Sequence, residues 1–145
     1  MSTADDLQAL AEAAQQAQHR TLRAISELGP RPPSPPASDV WDRSAERLDA
    51  AAGHLGQLAQ DLCAKAVVGA LDRYPAEVAR LREVADHARE RIRQIARVTD
   101  VMTTISRIID VGAAVLSLAA APSPGKVLAL GESVMALSDQ LDPAG

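Results

Sequence analysis

The chain has 145 residues, 47% of them hydrophobic and 23% charged, with a net charge of −4 and a pI near 5.3. Aromatic residues make up 1%; Phe is absent, and Trp41 and Tyr74 are the only rings. That composition argues against a β-sandwich or barrel, whose strands draw on β-branched and aromatic side chains. It also argues against an aromatic-lined ligand pocket and against global attraction to nucleic acid or anionic lipid.

Alanine supplies 29 residues, and the length suits one helical domain over 1–145. Helix 1 is expected within 1–29. Ser2 or Thr3 can cap it, and Asp5 and Asp6 suit the positive end of its dipole. Its apolar seam is Leu7, Leu10, Ala14, Ala17, Thr21, Ala24 and Leu28, in alternating steps of three and four. Gly29-Pro30 stops it, with glycine accepting the left-handed conformation. Residues 30–38 form a proline-rich, stiff, polyproline-like connector. Pro33-Ser34-Pro35-Pro36 meets a bare PxxP pattern but lacks a basic residue at the usual spacing.

Helix 2 is expected over 39–73, capped by Ser38, with the seam Trp41, Leu48, Ala51, Leu55, Leu58 and Leu62. Gly53, Gly56 and Gly69 weaken it and admit close neighbours. Trp41 is expected to close one end of the core, or to anchor a partner, since tryptophan is enriched at binding hot spots. Pro75 opens a long helix 3 over 75–121, with the seam Val78, Leu81, Ala85, Ala88, Ile92, Ile95, Thr99 and Met102. Unbroken, it would reach about 70 Å; if it breaks, the break is expected near 103–112. The run from Val111 to Ala121 is apolar all round, Pro122-Ser123-Pro124-Gly125 is a tight turn, and helix 4 returns over 124–142.

The expected fold is therefore all-α: an elongated up-down antiparallel bundle of four helices, or five if helix 3 breaks, ending in an apolar hairpin. In that layout the hairpin overhangs the bundle. Either helix 3 breaks and folds back, or another protein or copy covers the tip, or the tip enters a membrane. The residues that would meet the partner or the lipid are Ile105, Ile108, Ile109, Val111, Val115, Leu116, Leu118, Val127, Leu128, Leu130 and Val134. Arg107, Asp110 and Glu132 interrupt the two arms, so neither offers a full uninterrupted span.

No catalytic constellation is present. Ser123-Pro124-Gly125-Lys126-Val127 fails as a phosphate loop, with Ala120 at the first glycine position and Val127 where Ser or Thr would hold Mg²⁺. His19, His54 and His87 lie on different helices without ligand spacing. Cys63, the single cysteine, reads as a small buried residue. The acidic helix 2 and the basic helix 3, with Arg80, Arg82 and Arg89, read as charge-matched neighbours. No cofactor, metal or small-molecule substrate is expected.

The segment Ile108 to Leu137, broken by Ala121-Pro122-Ser123-Pro124-Gly125, is similar to the apolar hairpins of helical pore-forming proteins, and that likeness implies membrane insertion. Leu48-Asp49-Ala50-Ala51-Ala52-Gly53-His54-Leu55 resembles the alanine-rich helices of small type VII-exported proteins, which implies leaderless export. The Trp-x-Gly turn of that family is absent: Trp41 is followed by Asp42-Arg43. The acidic start lacks the pattern of a cleaved signal, so the chain is expected to be cytoplasmic as synthesised. The expected function is non-catalytic interaction or assembly with a partner protein or a second copy, with membrane insertion as the alternative.

Overall fold

The chain is helical, as its periodicity predicts, but two of the expected helices divide. The computed structural model describes residues 2–142 and holds six α-helices and no strand among them. They are α1 (Thr3–Glu27), α2 (Ala37–Leu62), α3 (Lys65–Leu71), α4 (Pro75–Ile92), α5 (Val98–Ala120) and α6 (Pro124–Leu141). Met1 and residues 143–145, part of the expected 1–145 domain, lie outside the described residues.

Ser2 caps α1 through a reciprocal pair: its hydroxyl accepts from the Asp5 N–H at 3.2 Å, and its own N–H reaches the Asp5 carboxylate at 3.4 Å. Gly29 follows the helix at φ +74, as its place after the last turn requires. Leu7, Leu10, Ala14, Ala17, Thr21 and Ala24 are buried, and so are Ala9, Ala11 and Ala13. A helix buried on that many sides is central, and α1 packs against α2, α3, α4 and α5. Alanine makes this feasible, because small side chains let several helices close on one.

The connector is less rod-like than its prolines suggest, bending at 33–34 and turning at 35–36 before α2 starts at Ala37. Ser38 is not the cap. Pro36 holds the N-cap position without a side-chain hydrogen bond, while Ser38 lies buried and donates its N–H to the Ser34 carbonyl. The expected helix 2 over 39–73 divides at Cys63 and Ala64, where Ala64 turns extended. The division lets Leu71 enter the core from α3, which packs against α5, α1 and α2. α1 and α2 are antiparallel: Gln18 donates to the Ala52 carbonyl at 3.0 Å, and the Cys63 thiol meets Gln8 at 3.2 Å.

The expected helix 3 over 75–121 is broken at 93–97, not near 103–112. Thr103, Thr104 and Gly112 all sit inside α5. The physical reason is a phase reversal. α4 buries Val78, Leu81, Ala85, Ala88 and Ile92; α5 buries Val101, Ile105, Ile108, Val111, Val115 and Leu118. In one straight helix Ile92 and Val101 would point about 180° apart, at about 100° per residue. One core cannot take both stripes unless the chain turns between them. The expected seam holds through the buried Ile95, and Thr99, the place after it, is exposed. The freed carbonyl of Ile95 accepts from the Arg20 guanidinium, at 3.2 Å from Nη2. α5 then packs on α2, α1, α3 and α6, so the hairpin does not overhang. Gly112, Val115 and Leu118 face inward while Ala113, Ser117 and Ala120 face out, so the run is not buried on every side.

The glycines of α2 differ. At Gly56 a Cβ would approach the Gln18 amide; at Gly53 and in α3 at Gly69 it would meet nothing within 4 Å. Gly53→Ala is therefore expected to raise stability by about 1 kcal/mol through helix propensity alone. Urea unfolding measures it, and a loss of stability would contradict the open site.

Candidate interaction face

Of the hairpin residues singled out by sequence, Ile105, Ile108, Val111, Val115 and Leu118 of α5 and Leu130 of α6 belong to the buried core. Ile109, Leu116, Val127 and Val134 are partly buried and pack against it. Only Leu128 is fully displayed, at 66% exposure. Met135, one heptad further on the same side of α6, is 67% exposed. α6 buries just Leu130, Leu137 and Leu141 over its 18 residues. It packs mainly on α5 and α4.

Local chemistry sets α6 in place. The Ser123 hydroxyl accepts from the Lys126 N–H at 3.2 Å and caps the helix, and Pro124 suits its first turn. Lys126 Nζ reaches back to the Ser117 carbonyl at 3.2 Å, tying the turn to the end of α5. This lysine is therefore occupied in closing the hairpin.

Beside the displayed residues runs a groove of about 440 Å³, walled by Arg80, Glu83, Val84 and His87 of α4 and by Gly131, Val134, Met135 and Ser138 of α6. The two helices are parallel, since Tyr74 adjoins Pro124 at one end and Arg91 adjoins Leu141 at the other. Arg80 and His87 thus stand one heptad apart on one wall, and Glu132 and Asp139 one heptad apart on the outer side of α6. Among the described residues none of these four forms an ion pair. The α4 wall was not foreseen from sequence; it depends on which helix packs beside α6, which periodicity does not say.

Arg82 and Arg89 of α4 meet α1, not the acidic α2. Arg82 reaches Asp6 at 3.5 Å and Asp86 at 3.1 Å; Arg89 reaches Glu12 at 3.0 Å. The hydrogen bond that Arg82 donates to Asp86 and the negative charges of Asp86 and Asp6 raise the Arg82 pKa above its ordinary value. The central helix is α1, so α4 lies against it.

Trp41 is half-buried in α2, and its indole N–H donates to the Gly29 carbonyl at 3.2 Å. It braces the connector instead of closing the core. Arg31 adds a bidentate pair with Asp42 at 2.8 and 2.9 Å. That hydrogen bond lowers the Asp42 carboxyl below its usual value. Cys63 is exposed, contrary to its expected burial, because α2 ends there. No group of three or more His, Cys, Asp or Glu residues that could hold a metal ion occurs among the described residues. No family model matches the chain, and no curated protein or solved structure matches it.

Proposed function

We propose that the protein is a non-catalytic helical assembly protein that pairs with a second copy through the α4–α6 face, its five long helices running as an elongated up-down bundle. The observation that carries this reading is the displayed pair Leu128 and Met135, with Met135 at the edge of a groove that Val84 and Val134 help to line. Exposed apolar side chains next to a concave surface are what an interface core supplies. The occupant follows from charge. A two-fold axis near Met135 sets α6 of one copy antiparallel to α6 of the other. Asp139 then faces Arg80 of the second copy, and Glu132 faces its His87. Met135 enters the groove, and the contact is isologous, so it closes at a dimer. Glu83 is the single acid on the α4 wall.

Light scattering on the full chain tests this. The expected mass at high concentration is twice the 15.2 kDa of one chain. The double variant Leu128→Asp, Met135→Asp is expected to remain monomeric with unchanged helicity. A wild-type monomer at every concentration overturns the reading.

A membrane reading draws on α5, whose 23 residues include an 18-residue window of mean hydropathy 1.5. Its apolar stripe packs on the core, so insertion would require the bundle to open. Leakage from anionic vesicles that Leu116→Glu abolishes would favour that reading over the dimer.

A further inference from the structure

Between the second half of α1 and the end of α4 lies a recess of about 320 Å³, bordered by Gln16, His19, Arg20, Arg23, Ile92 and Arg93. Three guanidiniums and an imidazole line it, and no carboxylate does. Arg20 is unusual among them, because its side chain is only 5% exposed. Its Nε and Nη2 donate to the Ile95 carbonyl at 3.4 and 3.2 Å, and Nη2 also meets Glu27 at 3.4 Å. Its Nη1 is buried with no hydrogen-bond partner. Glu27 is shared with Arg23, also at 3.4 Å. Arg93 forms no ion pair among the described residues; Asp86 and Glu90 line the next hollow along with it, and Asp86 is held by Arg82.

A buried guanidinium with unsatisfied N–H groups is costly unless an acceptor reaches it. Here one carboxylate serves two arginines, and a third arginine stands at the rim. The recess is small and cationic, which favours a compact oxyanion over an extended chain. Guanidinium forks match tetrahedral oxyanions in geometry and charge.

We propose that this recess binds a phosphate group, free or as a small monoester, between Arg20, Arg23 and Arg93. Gln16 and His19 form its wall. The site lies apart from the α4–α6 groove, and it stands or falls independently of the dimer.

Calorimetric titration of the full chain with inorganic phosphate and, separately, with glycerol 3-phosphate at constant ionic strength tests the site. Saturable binding at one equivalent per chain is expected for at least one probe. The tighter of the two identifies whether free phosphate or a monoester suits the recess. The variant Arg23→Gln, Arg93→Gln alters two exposed side chains and is expected to keep wild-type helicity and thermal stability. Its affinity is expected to fall at least about tenfold, as the loss of charge-assisted hydrogen bonds implies. No saturable binding of either probe to the wild type overturns the proposal. Equal affinity in the variant overturns it as well.

Discussion

Gly112→Ala is expected to destabilise the protein by about 2 kcal/mol, although alanine is the better helix former. Gly112 sits in the middle of α5, where α5 crosses α2. A Cβ there would overlap the side chain of Leu58, coming within 2.7 Å of its Cγ. Leu58 is 2% exposed and belongs to the main core, so it has little room to move aside. Crowding of this kind outweighs the propensity gain of about 1 kcal/mol. The companion variant Leu58→Ala removes a buried leucine and is expected to cost about 3 kcal/mol. In that background the sign of Gly112→Ala reverses. The added methyl enters the space Leu58 vacated, and the helix gains propensity. A double-mutant cycle by urea unfolding reads the coupling directly. Additive effects would show that α5 does not lie against α2 at this crossing.

Arg20→Met is expected to cost about 2 kcal/mol, with its effect centred on the break between α4 and α5. Methionine matches much of the length of the side chain but leaves the Ile95 carbonyl without its donor. Ile95 is itself buried, and the Arg20 side chain is only 5% exposed, so little water can replace the bond. Hydrogen exchange should rise most over residues 93–101 and little in α2. The core stripes of α4 and α5 are out of phase with or without Arg20, so the chain still turns there. Uniform loss of protection across all helices would contradict a local role for the bond.

The phase reversal also explains how much of the fold was legible in the sequence. The seam of α1 could be followed residue by residue, since periodicity marks the buried side of an amphipathic helix. The apolar α5 stripe was visible too. Its rotation by about half a turn relative to α4 is countable in the sequence, yet without proline or glycine at 93–97 the helix appeared to continue toward Met102. Proline and glycine are strong punctuation, and here the tertiary demand to bury both stripes breaks the chain without them. The division at Cys63 and Ala64 has the same character. Burial of Arg20 was illegible, because its acceptor is a carbonyl 75 residues away. The interaction face was legible in part. Leu128 stood out as apolar, but most hairpin residues near it proved to be core. Which helix flanks α6 determines whether Arg80 and His87 share its surface, and no local pattern carries that information.

Exchanging charges across the proposed two-fold interface distinguishes pairing through α4 and α6 from any other arrangement. Arg80→Asp alone and Asp139→Arg alone each place like charges opposite one another, and each is expected to yield a monomer by sedimentation equilibrium. Both changes in one chain restore opposite charges in every copy, and the dimer is expected to return. Single variants that dimerise as the wild type does, or a double variant that stays monomeric while both singles still fold, would contradict pairing through α4 and α6.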